Sequence, residues 1–363
     1  MPDPGGTAGA VDLDDVEALR DADATGALLH ASMAGAQVRA VATAVHAGVL
    51  EPVSGVRPRA MVWVTGRSAR ARQSAAVAAA LAASVGGPAV PPLVVAARLP
   101  AWVGALDVVL VSGDDAGDPD LAAAVETATS RGATVVADVP REGPVAESAH
   151  GGVSWLEPLP YLPPHRGVLR HLAAGMAVLG ALGVRGLDLD AAADAVDVEL
   201  EGIGPELSTP VNPAKLLANS VAGSDRVVWV HADPVAEAFC HRAVAAFTDV
   251  GRITASSTIA DAVRAAADEQ ARSGAPADPL ARLFHDEELD GAWEDRPVRH
   301  LGMVLDADEE LVRPAAGPLV DVEWITDRGR DTVGDTPTPF SGRVAALMAR
   351  TELAAAYLAV GGL

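Results

Sequence analysis

The chain has 363 residues and a formal charge of −22, with half of its residues hydrophobic and a single lysine, Lys215. A surface so acidic repels a phosphodiester backbone or an anionic lipid surface, which excludes nucleic-acid and membrane partners. Cys240 is the only cysteine; with no disulfide and no Cys-based zinc site to build, a reducing cytoplasm fits.

The length suits two domains, each large enough to bury a core. Residues 1–15 are rich in Pro, Gly and Asp and read as a frayed tail, without the basic and apolar regions of a signal peptide. From Val16 to Leu50, Ala, Leu and Val recur at helical spacing and predict one or two helices. Ala60-Met61-Val62-Trp63-Val64-Thr65 is a buried-strand run, turned by Gly66-Arg67-Ser68 into a helix over 71–85. A second run, 92–96, precedes Leu106-Asp107-Val108-Val109-Leu110-Val111, the loop Ser112-Gly113-Asp114-Asp115-Ala116-Gly117-Asp118-Pro119 and a helix over 120–127. Another strand is expected at 133–137 and a helix at 143–150. This alternation predicts a doubly covered parallel sheet, with its ligand loops at the carboxyl ends of the strands.

A proline-punctuated stretch, 155–164, leads into a strongly apolar helix over 166–182 and a short acidic helix at 190–196. The second half repeats the alternation: strand 226–230, helix 234–247, strand or loop 251–258, helix 259–272, strands 298–305 and 320–325, and a long closing helix over 341–360. The expected division is 16–164 as the first subdomain, 165–204 as a helical connector and 205–363 as the second subdomain, closing helix included.

Two stretches carry candidate chemistry. Gly66, Arg67 and Ser68 open a helix whose free amides favour an anion, but they match neither a dinucleotide fingerprint nor a Walker loop. Asp114, Asp115 and Asp118 lack the spacing of a calcium loop; the simpler expectation is that one caps the following helix and the others are solvated. His285-Asp286-Glu287-Glu288 gathers an imidazole and carboxylates without an HExxH pattern, and no G-x-S-x-G elbow is present.

In their order along the chain these segments resemble the sugar isomerase (SIS) fold, and specifically the bifunctional phosphoglucose/phosphomannose isomerases. The resemblance rests on Leu99 to Gly104 leading into Val108 to Gly113, on Arg131-Gly132-Ala133, on the helix from Arg166, on Asn212-Pro213-Ala214-Lys215, on His285 to Gly291 and on Ala355 to Ala359. It implies an α/β fold of two Rossmann-like subdomains, a homodimer in the cytoplasm, and a hexose 6-phosphate held by two hydroxyl-rich loops. It implies no cofactor and no metal. In such enzymes a histidine opens the ring and an arginine stabilises the enediolate, roles that fall on His285 and Arg166; ligand contacts fall on Gly66, Arg67, Ser68, Ser112, Gly113, Asp114 and Asp115.

Three departures accompany the matches. The second loop carries carboxylates where the family has hydroxyls, and each close like-charge pair with a phosphate costs about 1 kcal/mol in water and more when desolvated. The family's catalytic glutamate falls on Thr254 to Thr258, which holds no base, and general acid–base catalysis is worth roughly 10²–10⁴-fold. The family's active-site lysine has no counterpart in the chain after Ala359. The expectation is therefore a catalytically degenerate protein that binds a sugar-derived ligand or regulates other enzymes; the alternative is an active aldose–ketose isomerase with Asp249, Asp261 or Glu287 as a displaced base. A further expectation is that Arg67, Arg70 or Arg72 pairs with Asp114, Asp115 or Asp118 and fills the phosphate position.

Overall fold

The computed structural model describes residues 11–87, 90–163, 166–273, 298–305, 309–319, 322–326, 332–333 and 336–362. The chain divides into two units, Met1–Leu217 with Asp327–Leu363, and Ala218–Thr326.

In the first unit, three helices, α1 (Val16–Ala22), α2 (Ala27–Ser32) and α3 (Ala34–His46), precede a five-stranded sheet. Its strands are β1 (Met61–Val64), β2 (Leu93–Ala96), β3 (Val108–Ser112), β4 (Thr134–Asp138) and β5 (Val153–Trp155), in the order β2-β1-β3-β4-β5. All the pairings are parallel. Parallel strands covered on both faces read as continuous apolar runs, and β1 and β3 are buried throughout. Their crossovers are α4 (Ala69–Val85), α5 (Pro119–Ser130) and α6 (Gly143–Glu147). The three-residue β5 lies where the proline-rich stretch begins and is too short to show a period.

Alternation along the strands separates two cores. Val62, Val64, Val109, Val111, Val135 and Ala137 pack against Leu121, Ala124, Val125 and Ala128 of α5. The opposite face carries Trp63, which lies against α7 (Val168–Ala181): a Cβ added at Gly175 would come within 2.1 Å of the indole. Beyond Trp63 the register places Thr65 beside Ser112, and Ser112 beside Asp138. These three residues form a polar row across the carboxyl ends of β1, β3 and β4, each fully buried.

The closing helix α13 (Phe340–Gly361) belongs to this first unit, not to the second as the chain order suggested. It packs on α8 (Leu189–Glu201), where Arg350 meets Glu199 in a bidentate pair at 2.7 and 3.1 Å. By length and composition α13 could cross a membrane, but its apolar surface is spent on the interior of the unit. Residues 11–15, expected in a frayed tail, are tied to this unit. Val11 donates to the Gly361 carbonyl, and the Asp14 carboxylate accepts from Thr209 and from Lys215 Nζ. Lys215 is itself fully buried, in the first turn of α9 (Pro213–Ala222), and donates to the carbonyls of Pro205 and Leu207 at 2.9 and 2.7 Å.

The second unit is a four-stranded parallel sheet, ordered β7-β6-β8-β9, of β6 (Val227–His231), β7 (Thr254–Thr258), β8 (Arg299–Met303) and β9 (Val322–Ile325). Helices α10 (Pro234–Thr248), α11 (Ile259–Ser273) and α12 (Glu309–Ala315) connect its strands. Asp233 caps α10 and also accepts the Leu305 amide. Cys240 is buried within α10, and burial pushes its thiol well above the ordinary range, so it is an inert core residue. The short strands β10 (Thr332–Val333) and β11 (Thr336–Pro337) pair antiparallel.

The Trp63–Gly175 contact gives a test of the first core. Alanine in place of a helical glycine should gain about 1 kcal/mol in propensity, but a methyl inside the indole contact costs typically 1–3 kcal/mol in overpacking. Gly175→Ala is therefore expected to lower the urea midpoint; an unchanged or raised midpoint would show that the core yields freely there.

Candidate functional site

At the carboxyl end of the first sheet, the loop after β1 and the loop after β3 meet. Gly66 turns the chain with φ of +51°, and any side chain there would collide with Asp118, whose Oδ2 lies 2.4 Å from the position of a Cβ. Asp118 caps α5 through the Asp120 amide and also accepts the Arg67 amide at 2.8 Å. Ser68 caps α4 through the Ala71 amide, while its own N–H donates to Thr65 O. In the second loop Gly113 N–H donates to Asp138 O, and Asp115 accepts the Gly117 amide. These loop donors, which in an anion cradle would face the ligand, are bound by the chain's own oxygens.

Helix α7 approaches the same end. Its first turn is pinned by Ser74 Oγ, which donates to Val168 O, and by Gln37, which accepts the Arg170 amide and donates to Arg166 O. This places Arg170 and His171 above the polar row, 4% and 0% exposed. Arg170 binds Asp138 through Nη1 and Asp114 through Nη2, the latter at 2.9 Å. His171 Nδ1 lies 2.6 Å from the other Asp138 oxygen, and its Nε2 lies 3.4 Å from Asp114 Oδ1. Asp114, Arg170, Asp138 and His171 thus close a ring of alternating charge, electrically neutral when His171 is an imidazolium. Trp63 Nε1 donates to Ser112 Oγ at 2.9 Å beside it, and Thr65 Oγ1 is buried with no hydrogen-bond partner.

The ring shifts its members' acidities. Burial by itself would raise the pKa of Asp114, but His171 and Arg170 outweigh it and hold the carboxyl far below the ordinary range. Burial and the neighbouring guanidinium both disfavour a charged His171, yet Asp138 and Asp114 win and shift it upward. The raised His171 contributes stability fully present below its unfolded value of about 6.5 and lost as pH rises through the folded value. Asp114 contributes stability present above about 3.9 and lost as pH falls through its depressed folded value.

Several sequence expectations are relocated. Asp118 is the capping aspartate and Asp115 is exposed, but Asp114 is not solvated. Its cations come from α7, not from Arg67 or Arg72, whose side chains are exposed. Arg166 precedes α7 and is half-buried; Arg170, one helical turn later, is the arginine on the loop residues. Thr254 to Thr258 form β7 in the second unit. There Asp261 is exposed, with its pKa lowered by Arg264 and Thr258, the wrong direction for a proton acceptor, and Asp249 lies exposed at the end of α10. His285, Asp286, Glu287 and Glu288 lie outside the described residues.

Arg170, His171 and Asp138 were not singled out from sequence, although the signal is visible: two adjacent polar residues in a helix otherwise entirely apolar, and an aspartate ending a buried strand, must find partners. Breaking a buried pair costs roughly 3–5 kcal/mol. Asp138→Asn should lower the free energy of unfolding by that order, and should move the alkaline loss of stability to lower pH, because His171 loses its closest anion. A urea-unfolding series across pH that showed a change under about 1 kcal/mol and an unmoved alkaline limb would contradict the ring.

No protein-family model and no curated protein sequence matches the chain. Solved structures do. The C-terminal domain of glucosamine-fructose-6-phosphate aminotransferase from Francisella tularensis superposes with a TM-score of 0.56 at 8% identity, covering 94% of this chain and 98% of that one. Tagatose-6-phosphate ketose/aldose isomerase from Escherichia coli does so with a TM-score of 0.56 at 11% identity, covering 92% and 91%. Both matches run through nearly the whole of each chain, so the two parallel sheets and their crossovers are those of the sugar isomerase (SIS) fold.

Proposed function

We propose that the chain is a catalytically degenerate relative of the phosphoglucose/phosphomannose isomerases, and that it binds a sugar-derived ligand at the carboxyl end of the first sheet. The observation that carries this reading is the consumption of the loop donors. The Arg67 and Ala71 amides are bound by Asp118 and Ser68, and Asp114 lies on Arg170 where a ligand anion would be drawn. A phosphosugar isomerase needs those donors open and a base poised for proton transfer. Among the described residues the two candidate bases, Asp249 and Asp261, are exposed, which supports the loss of turnover. The names of the structural neighbours, which act on 6-phosphosugars, support the ligand class.

The test has two arms. In a coupled assay with fructose 6-phosphate, the protein and its His285→Ala variant are expected to be equally inactive; turnover abolished by that substitution would establish an isomerase. In calorimetry, 6-phosphogluconate or glucose 6-phosphate is expected to bind with a sub-millimolar Kd, and no heat from either would remove the sugar ligand from the reading.

A further inference from the structure

We propose that Arg170 and His171 form a latent oxyanion-binding site, held shut by the carboxylate of Asp114. The proposal rests on the reading that this end of the sheet faces ligand, and it adds which groups hold the anion and what must leave first.

Four observations converge on one atom. Asp114 Oδ1 lies 2.9 Å from Arg170 Nη2 and 3.4 Å from His171 Nε2, so a single oxygen bridges both cations. At 3.4 Å the imidazole nitrogen has no hydrogen-bond partner, although it is fully buried. A buried donor left short of its acceptor is costly, and an oxyanion placed a few tenths of an ångström closer would satisfy it. The third feature is Gly167, the N-cap of α7. A Cβ there would stand 2.9 Å from Asp114 Oδ1 and 3.1 Å from Arg170 Nη2, so a side chain at this position would crowd an oxygen at the start of the helix. The fourth is the dipole of α7, a helix of 14 residues, whose N-cap residue Gly167 lies beside that oxygen.

Asp114 is the one member of the ring that can leave. Asp138 ends a central strand and is fully buried, and Arg170 and His171 are fixed by the first turn of α7. Asp114 sits on the loop after β3, and its side chain is 16% exposed. With Asp114 withdrawn, Arg170, protonated His171 and Asp138 sum to one positive charge, which a monoanionic phosphate or carboxylate neutralises. The tethered carboxylate competes at a millimolar effective concentration, so the unmodified protein binds simple anions, which bring no sugar contacts, weakly.

The experiment is a titration of the full chain with inorganic phosphate, and separately with gluconate, followed by calorimetry. Asp114→Ala should bind at least one of the two anions no less than tenfold more tightly than the unmodified protein, phosphate if the site takes phosphoryl groups and gluconate if it takes carboxylates. The double variant Asp114→Ala/Arg170→Gln should lose that gain. Circular dichroism checks the fold; if Asp114→Ala does not fold, the isosteric Asp114→Asn carries the same expectation, read as a larger rise in melting temperature with anion than the unmodified protein shows. Equal affinities for both anions in variant and unmodified protein, or a gain that survives loss of Arg170, would overturn the latent site. A variant that gains phosphate while 6-phosphogluconate binds to neither form would leave the latent site standing and remove the sugar reading instead.

Discussion

Arg170 and His171 stand side by side on α7, whose remaining residues are apolar and which packs with α3, α4 and the first sheet. A cation taken out of water into such surroundings is strongly destabilising unless anions meet it with good geometry. The end of the sheet is arranged around that constraint. Strand β4 ends on an aspartate in place of another aliphatic residue, the loop after β3 presents a second, and Gly167 carries no side chain that would crowd the approach. Neutrality is reached only as a set of four, because each carboxylate touches both cations. The ring thereby ties strand, loop and helix together more specifically than their apolar contacts could.

The same constraint governs the neighbouring donors. An oxyanion cradle works by keeping amides, hydroxyls and cations unpaired until the ligand arrives. Here Asp118 takes the Arg67 amide, Ser68 serves its own helix, and Asp114 takes the guanidinium. Donors turned inward are satisfied by the chain's own oxygens, which stabilises the loops and lowers their affinity for an outside anion. The second unit repeats the parallel architecture, with threonines and serines along β7.

Much of the architecture was legible because parallel strands covered on both faces leave a plain mark: β1, β3 and β6 are apolar runs with a polar residue at most at the last position, each followed by a helix with its capping residue in place. The fold class and the two-sheet plan follow from that alternation. What sequence alone misassigned depends on contacts between distant segments. The closing helix α13 follows the second unit in the chain yet is held by Glu199 and α8 of the first, and no local pattern records that. The region before β1 breaks into three helices, not one or two, because Gly26 and Met33 interrupt runs of otherwise continuous helical spacing. At the site, the loops were found but their partners were not. Arginines adjacent in sequence to the first loop looked like the natural cations for Asp114, whereas the ones that reach it lie more than fifty residues away, on a helix whose apolarity drew attention from its two polar residues.

An imidazolium at His171, sandwiched between Asp138 and Asp114, is read out by the ring-nitrogen NMR shifts of that residue. Both ring nitrogens should be protonated at neutral pH, with the change to the neutral form displaced to higher pH than in an ordinary histidine, and displaced less once Asp114 is replaced by alanine. A neutral tautomer at neutral pH, indifferent to the loss of Asp114, would show that no charge-balanced ring exists and that nothing holds Asp114 over the cations.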